Sequence, residues 1–454
     1  MKKLIAFVVS AHLLPISLYA SQVQLDAELE QAMASWKASQ QTVQDKDEFE
    51  QFKTQHFEQY DKYVEAHFAE FDAYRDNLIL EWGDAQISSR SQYVHYSKDN
   101  NARLMVDFEQ DQLVVSVKHS SKQDVSKAQA QQAFKDFLQE NSALLTEFFQ
   151  HQSIKDQQEA ITKAQSYVVD NAKRATALIT AKAQIKSQTL QQQQVIDKQF
   201  DTVLADNEDD TATSNVIDDQ QDEEAAAQLK AKKQAIEALQ VKRIKKLKES
   251  IKDLPKKSSD TVVTEFVITL PKNTLAQKRA SGYVKQIQAQ SERFSIDNSL
   301  VLAVMHTESH FNPLAKSPIP AYGLMQVVPT SAGVDVNRFL YDIDEPMSGP
   351  YLYVTDNNIE AGTAYLHLLN DRYLRHIEDP LSRKYCTIAA YNTGAGNVAR
   401  VFNSDGSRNI KKASRVINSM SPELVLKTLQ SHLPYDETKR YLDKVLSKET
   451  LYIQ

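Results

Sequence analysis

Hydrophobic and polar residues alternate with different periods in different parts of the chain. From Glu28 to about Asp84, aromatic and aliphatic residues recur at helical spacing, which predicts paired helices with most of the rings in their contacts. Residues 102–117 instead alternate around a polar turn, which predicts a β-hairpin. Residues 262–270, VVTEFVITL, are expected to add a strand to the same sheet. The pattern therefore predicts a small N-terminal α+β domain over residues 21–120, completed by this later strand.

A long polar stretch separates the hairpin from that strand. Residues 121–257 are rich in Gln, Lys and Ala, a composition typical of long solvated helices. Acidic residues cluster at 206–224 and basic residues at 225–257, which predicts either a disordered acidic turn or a helical hairpin with charge pairing. We interpret the stretch as a helical or partly disordered insertion with solvated surfaces, and Gln191 to Gln194 as low complexity. We expect the C-terminal domain to fold without it.

The C-terminal part, residues 271–454, has a different pattern. Eight of the nine glycines lie from Gly282 onward, and short apolar segments alternate with loops that Gly and Pro mark. This arrangement predicts a compact, mainly helical domain. Since the rest of the chain is poor in turn residues, we expect the chemistry of the protein to lie in this domain.

Glu308 is the first candidate for that chemistry. Asp297 predicts the start of a helix that continues to about His310. On a period of 3.6 residues, Glu308 shares a face with Val304 and Val301, so its carboxyl group projects from the stripe that faces the core. Burial destabilises the anion, so the pKa should rise above the ordinary value of about 4.3, which suits a general acid. A Glu that caps or pairs at a helix end is the structural alternative.

The N-terminus, the cysteine content and the charge bear on location and partners. Residues 1–20 have the layout of a secretory signal peptide, with Lys2 and Lys3 before an apolar stretch and cleavage expected after Ala20. Cys386 is the one cysteine, so we expect no lipoprotein anchor and assign the thiol no chemistry. The net charge of −7 argues against a nucleic acid partner. The helical insertion is a candidate surface for an envelope protein partner.

Four motifs follow one another in the C-terminal domain. They are ESHFNPLAKS at 308–317, YGLMQVVPTSAG at 322–333, NIEAGTAYL at 358–366 and AYNTGAGNV at 390–398. In order and spacing this set resembles the Slt-type lytic transglycosylases, which have a goose-type lysozyme-like fold, and the likeness covers about residues 284–441. A weaker similarity of the N-terminal half points to membrane-bound members of that family.

This resemblance implies a fold class and a location. The fold is expected to be α+β and mainly α, with a lysozyme-like helical catalytic domain C-terminal to a small α+β domain that carries a long helical insertion. The location is expected to be the periplasm of a Gram-negative bacterium, with membrane association open because a lipoprotein cysteine is missing.

The resemblance also implies a reaction on peptidoglycan glycan strands. Glu308 would protonate the oxygen of the β-1,4 bond between N-acetylmuramic acid and N-acetylglucosamine, and its carboxylate would then accept the proton of the muramoyl C6 hydroxyl. The C6 oxygen would attack C1 and close a 1,6-anhydro ring. Because the substrate supplies its own nucleophile, one carboxylate replaces the usual glycosidase pair, with no metal and no cofactor. A hydrolytic muramidase on the same fold and a non-catalytic glycan-binding envelope protein are the open alternatives.

Matching motif by motif implies a set of substrate-binding residues around Glu308. They are Ser317, Gly323, Met325, Gln326, Tyr391, Asn392 and Tyr441. The polar side chains offer hydrogen bonds to sugar hydroxyl and N-acetyl groups, Tyr391 offers a ring face, and Tyr441 would bring its phenol towards Glu308. Turn chemistry explains Ser317 equally well, and packing alone would account for Met325.

Overall fold

The computed structural model describes residues 65–140, 162–252 and 260–453, except residues 67, 124, 211–217, 270–274, 320 and 344. The predicted signal peptide and the aromatic helical region before residue 65 lie outside the described residues. Within these ranges the predicted fold class is confirmed, because the chain is mainly helical with one small sheet. None of the described helices is long and apolar enough to cross a membrane.

The N-terminal domain is built on an antiparallel sheet. Its five described strands lie in the order β1-β2-β3-β5-β4. They are β1 (Gln92–Tyr96), β2 (Ala102–Asp107), β3 (Gln112–Ser120), β4 (Thr162–Val168) and β5 (Thr261–Thr269). The predicted hairpin is β2 and β3, with Leu104 opposite Val115, and β5 pairs with β3 as predicted. Strand β4 was not predicted, because its sequence TKAQSYV is largely polar and exposed and does not alternate clearly.

Two helices cover this sheet. Helix α1 comprises residues 68–82, and helix α2 comprises Lys127–Glu140. Phe134 and Phe137 of α2 pack with buried residues of β2, β3 and β5, whereas Trp82 of α1 packs against the other face of β5. The sheet therefore has an apolar core on each side, and residues predicted as part of the insertion contribute both β4 and α2 to this domain.

Two long helices connect β4 to β5. Helix α3 (Asn171–Asp210) has 40 residues and helix α4 (Asp218–Lys252) has 35. They pack on each other, so of the two predicted alternatives the structure has the helical hairpin. Arg243 of α4 also binds Asp72 of α1, with Nε 2.8 Å from Oδ2. The side chains of the acidic block lie outside the described part of the chain.

The prediction of solvated surface is wrong for part of α3. Residues 192–197 are all buried, although four of the six are polar residues, which suggest a surface helix. The reason is that this segment lies between α4 on one side and the C-terminal domain on the other, where Gln193 donates to Glu237 and Gln194 donates to Thr438. The Gln-rich run is therefore part of an interface.

The C-terminal domain consists of helices around one apolar core. They are α5 (Leu275–Ser281), α6 (Val284–Phe294), α7 (Asn298–Ser309), α8 (Ala332–Tyr341), α9 (Gly349–Tyr353), α10 (Thr355–His367), a π-helical turn (Leu368–Tyr373), α11 (Pro380–Thr393), α12 (Ala395–Phe402), α13 (Ile410–Ile417), α14 (Pro422–His432) and α15 (Asp436–Glu449). Helix α7 runs through the core, with Val301 and Val304 fully buried.

Cys386 is buried as a free thiol, and burial raises its pKa, which makes it an unreactive core residue.

Candidate active site

Glu308 lies in the last turn of α7, at the edge of the core. Asp297 occupies the N-cap position as predicted, although its side chain makes no capping hydrogen bond. The Glu308 side chain is on the buried face of the helix and the residue is only 5% exposed. His310 and Phe311 then adopt positive φ angles of 52° and 62°, which ends the helix and turns the chain immediately after the carboxyl group.

Glu308 faces a cleft to which three separate parts of the chain contribute. The cleft has a cavity volume of about 70 Å³ and opens to solvent. Of the predicted residues, Ser317, Gln326, Tyr391 and Asn392 line it together with Glu308. The opposite wall comes from outside the C-terminal domain, from Arg90 after α1 and from Gln191, Gln194, Val195 and Lys198 on α3.

The electrostatic surroundings of Glu308 favour its protonated form. Burial raises the pKa of Glu308 above its ordinary value, and this effect outweighs the lowering of the pKa by Arg90, Tyr441 and Lys198. The Arg90 Nη1 atom lies 3.6 Å from Oε2 of Glu308. The site therefore holds a buried carboxyl group that keeps its proton to higher pH than an exposed glutamate would, next to a cation that would stabilise its anion.

Ser317 and Gln326 lie in the loop that follows α7. The Ser317 hydroxyl donates to the carbonyl of Ile319, and Gln326 Nε2 donates to the carbonyls of Ala315 and Gly323, each at 3.0 Å. The Gln326 Oε1 atom is buried and has no hydrogen-bond partner among the described residues. An orphaned acceptor at the wall of a cleft is suited to a hydroxyl or N–H group of a ligand.

Tyr391 and Asn392 lie at the end of α11. The Tyr391 hydroxyl donates to the carbonyl of Met325 at 2.8 Å, so the hydroxyl fixes the loop while the ring lines the cleft. Asn392 Oδ1 accepts a hydrogen bond of 2.7 Å from Thr438. Tyr441, on α15, is buried close enough to Glu308 to lower the pKa of that carboxyl group, although its own hydroxyl has no hydrogen-bond partner among the described residues.

The structure does not place Gly323 and Met325 at the wall of the cleft. Gly323 has φ of +72° and a Cβ there would lie 2.5 Å from the side chain of Asn358, so glycine is required by the turn. Met325 is fully buried, and its side chain packs so closely against Gly362 that a Cβ at Gly362 would overlap its sulfur. Both residues shape the loop that carries Gln326.

Asn358 holds this loop in place. Its Nδ2 donates to the carbonyls of Tyr322 and Leu352 at 2.8 Å, and its Oδ1 accepts from the Met325 N–H at 2.8 Å. Asn358 opens the third sequence motif, NIEAGTAYL. The second and third motifs are thus parts of one structural unit, which explains why they occur together.

The sequence analysis missed the cleft residues outside the C-terminal domain. Lys198 Nζ donates to the carbonyl of Tyr391 at 2.6 Å, and Gln191 and Gln194 face the same space. Arg90 follows α1 in a polar segment without any motif. Glu437, which also lines the cleft, lies four residues before Tyr441 in the segment ETKRY at 437–441. Its spacing from Tyr441 was a usable signal for Glu437, whereas the generic polar residues of the other segments gave no signal.

Asp197 fixes α3 to the C-terminal domain. Its side chain is fully buried and its carboxylate receives Lys233 Nζ at 2.8 Å and Arg408 Nη1 at 3.1 Å. Asn397 Nδ2 at 3.0 Å and the Tyr435 hydroxyl at 2.8 Å also donate to it. Burial alone would raise the pKa of Asp197, but the two cations and these donors hold it below the ordinary value. The wall that α3 contributes is therefore anchored by a charged, buried cluster.

The two histidines that flank Glu308 are half-buried. A hydrogen bond of 2.8 Å joins His306 Nδ1 to the Tyr452 hydroxyl, and burial lowers the pKa of His306 to about 3 and that of His310 to about 2. Both rings are therefore neutral near neutral pH. In the described part of the chain, no group of three or more His, Cys, Asp and Glu side chains has the arrangement of a metal site.

Residues 285–414 of the C-terminal domain match the family model of the transglycosylase SLT domain. The predicted resemblance of the C-terminal domain to the Slt-type lytic transglycosylases is thereby confirmed.

Two curated relatives of the chain have the same name. The chain is 46% identical over 202 residues to membrane-bound lytic murein transglycosylase C of Pectobacterium atrosepticum, which covers 44% of this chain and 55% of the relative. It is 47% identical over 191 residues to the protein of the same name from Klebsiella pneumoniae, covering 42% of this chain and 51% of that protein. The chain thus spans about half the length of the curated relatives it matches.

A solved structure of lytic transglycosylase Slt from Pseudomonas aeruginosa also aligns with the chain. It is 26% identical and covers 37% of this chain and 23% of its own, with a TM-score of 0.28. At that score the alignment carries no argument about the fold.

Proposed function

We propose that the protein is a peptidoglycan lytic transglycosylase. It cleaves the β-1,4 bond between N-acetylmuramic acid and N-acetylglucosamine in glycan strands and releases 1,6-anhydromuramoyl products. The observation that carries this proposal is Glu308, a buried carboxyl group with a raised pKa that lines a cleft within an SLT domain. The curated relatives, which are named murein transglycosylases, support the choice of substrate.

In this mechanism Glu308 acts twice. The neutral carboxyl group donates its proton to the glycosidic oxygen as the bond from that oxygen to C1 of the muramoyl sugar breaks. The resulting carboxylate accepts the proton of the C6 hydroxyl while the C6 oxygen forms a bond to C1. Glu308 is protonated again at the end, and no water enters the product. Burial favours the acid form at the start, and Arg90 stabilises the intermediate anion.

The other cleft residues have roles in binding. Gln326 offers its unpartnered Oε1 to a donor on the sugar, and Tyr391 offers a ring face. Asn392 and Ser317 add amide and hydroxyl groups at the same wall. These groups are uncharged, which suits a substrate rich in hydroxyl and N-acetyl groups.

Glu437 favours a second candidate function, a hydrolytic muramidase. A second carboxylate in the cleft is what such an enzyme uses to activate water or to form a covalent intermediate. However, Glu437 Oε1 lies 2.8 Å from Arg90 Nη2, so this carboxylate is already engaged by the guanidinium group. We therefore assign Glu437 to the Arg90 ion pair and the proton chemistry to Glu308.

Product analysis tests the proposal directly. The purified protein is incubated with peptidoglycan sacculi, and the soluble muropeptides are analysed by mass spectrometry. We expect anhydro products, each lighter by one water than the corresponding lysozyme product. Reducing-end muramic acid alone would establish the muramidase, and binding to sacculi without any product would establish a glycan-binding protein.

Glu308→Gln tests the assignment of the acid. Glutamine keeps the size of the side chain but can neither donate the first proton nor accept the second, so we expect turnover to fall at least roughly 10³-fold with the fold unchanged. The matched control is Glu360→Gln, which neutralises a carboxylate of the same domain that pairs with Arg293 outside the cleft. If a folded Glu308→Gln protein works within about tenfold of the parent, the assignment is wrong.

We also propose that the protein acts in the periplasm, bound to peptidoglycan, after export by its N-terminal segment. The name of the curated relatives, membrane-bound, supports a location in the cell envelope. The helical hairpin α3–α4 is the proposed surface for an envelope protein partner. Fractionation of cells that produce the full chain tests the location, and recovery in the cytoplasm would contradict it.

A further inference from the structure

We propose that Arg90 is a positioning residue for Glu308, and that Arg90, Glu308 and Glu437 form one charge network through which the N-terminal half of the chain controls proton transfer by the acid. The proposal rests on the function proposed above for Glu308. It adds a residue outside the SLT domain to the machinery of the reaction, because residues 285–414 contain neither Arg90 nor Glu437.

The geometry places one guanidinium group between two carboxyl groups. Arg90 Nη1 lies 3.6 Å from Glu308 Oε2, and Arg90 Nη2 lies 2.8 Å from Glu437 Oε1. The backbone at Arg90 is also fixed, since Asn312 Nδ2 donates to its carbonyl at 3.3 Å. Asn312 belongs to the first motif, so the loop that follows Glu308 holds the residue that faces Glu308.

The two contacts of Arg90 differ in length, and this difference determines how Arg90 acts on Glu308. The shorter contact to Glu437 is a charge-assisted hydrogen bond, while the longer contact to Glu308 acts mainly through charge. A full ion pair with Glu308 would hold it as the anion and remove the proton that the first step needs. Without Arg90, the buried anion of the second step would lack its nearest cation.

Other charged and phenolic groups also face Glu308 and affect its pKa. Burial raises the pKa of Glu308; of the groups that lower it, Arg90 has the largest effect, ahead of Tyr441 and Lys198, and Glu437 raises it. The groups facing Glu308 are Arg90 after α1, Lys198 on α3, Tyr391 on α11, and Glu437, Tyr441 and Lys448 on α15. Of these groups, Arg90 is the one that belongs to the N-terminal domain, and it contacts a carboxyl oxygen of Glu308.

Substitution of Arg90 and substitution of Glu437 should shift the pKa of Glu308 in opposite directions. The first step needs the protonated acid, so kcat/KM falls as the pH rises through the pKa of Glu308. Arg90→Gln removes a cation that lowers this pKa, so the alkaline limb of the pH profile should move to higher pH. Glu437→Gln removes an anion that raises it and leaves Arg90 to Glu308 alone, so the limb should move to lower pH.

The experiment measures pH profiles of kcat/KM on soluble glycan strands for the full chain and three variants. Besides the opposite shifts, we expect Arg90→Gln to lose roughly 10- to 100-fold in kcat, because the carboxyl group loses its orientation. Arg90→Lys keeps the charge and should restore a limb close to that of the parent. The matched control is Arg293→Gln, which breaks an arginine–carboxylate pair of the same kind outside the cleft and should shift nothing.

A readout without turnover separates this proposal from the proposed function. The protein is labelled with ¹³C at the Glu carboxyl carbons, the Glu308 resonance is assigned by its absence in Glu308→Gln, and its titration is followed by NMR. Opposite shifts of this titration in Arg90→Gln and Glu437→Gln support the network even if the reaction products refute a transglycosylase. An unshifted titration in both folded variants, or a shift in the same direction, would overturn the proposal.

Discussion

Two segments form facing walls of the cleft, and they are built in different ways. The loop at residues 322–327 depends on its backbone, with positive φ angles of 72° at Gly323 and 48° at Gln326. The segment at residues 191–198 is regular helix, and it contributes only side chains. A backbone that requires glycine and close packing leaves a recognisable sequence motif, whereas a helix surface can be made from many sequences. The loop wall could therefore be predicted from the sequence, whereas the helix wall could not.

The two walls are also held by different interactions. Asn358 fixes the loop with three hydrogen bonds of 2.8 Å to backbone groups. Asp197 fixes the helix through a cluster that includes Lys233 and Arg408. The loop wall is thus stabilised within the C-terminal domain, while the helix wall exists only where two halves of the chain are docked together.

Among changes to the two walls, removal of the helical hairpin should reduce activity the most. The sequence predicted that the C-terminal domain would fold without it, whereas in the structure the hairpin supplies one wall of the cleft. Val195 packs with Ile319 and Ala321 of the cleft loop, so replacing residues 171–252 by a short linker exposes that apolar contact and removes one wall. We expect activity on soluble glycan to fall at least roughly 100-fold. Full activity of a folded deletion protein would show that the helix wall is dispensable.

Asp197→Asn tests the anchor of the helix wall. Neutralising one member of a buried ion cluster leaves Lys233 and Arg408 poorly compensated, so we expect a loss of about 3–5 kcal/mol in the free energy of unfolding, measured by chemical denaturation. Because the folded pKa of Asp197 lies below the ordinary value, this stabilisation is present above the ordinary pKa and is lost as the pH falls through the folded pKa. Asp405→Asn, at an exposed pair with Lys412, is the control and should cost little. Equal costs for both would contradict the anchor.

Asn358→Ala tests the anchor of the loop wall. The change leaves the buried Met325 N–H and two carbonyls without their partner, which should cost about 2–3 kcal/mol of stability and reduce kcat as the loop that carries Gln326 loosens. The neighbouring Asn357→Ala removes one hydrogen bond of 3.2 Å to Tyr351 and serves as the control. If both variants behave alike in thermal unfolding and kinetics, the loop does not depend on Asn358.

Gln194→Ala should have the smallest effect. Its side chain lines the cleft and makes a long hydrogen bond of 3.4 Å to Thr438, so its loss should cost about 0.5–1.5 kcal/mol of stability. If this face of the helix contacts glycan, KM should rise roughly two- to fivefold through the loss of one neutral hydrogen bond. An unchanged KM would mean that the glycan does not reach this part of the wall.

The sequence predicted those elements whose signals are local. The β2–β3 hairpin alternates in polarity, and Glu308 follows an apolar helical stripe, so both could be placed from spacing alone. Strand β4 escaped because edge strands expose most of their side chains. Arg90 and Lys198 escaped because their contacts with Glu308 and Tyr391 depend on how distant segments dock, and no short pattern records that. The buried state of the Gln-rich run depends on the same docking.

The position of the helical hairpin between two neighbouring strands has a practical consequence. Strands β4 and β5 pair with each other, so the chain leaves and re-enters the sheet at adjacent points. Extra residues inserted between Asp210 and Asp218 would leave the register of β4 and β5 untouched, because both helices of the hairpin separate that point from the sheet. A fluorescent domain placed there would report where the protein works in living cells while its own cleft stays intact.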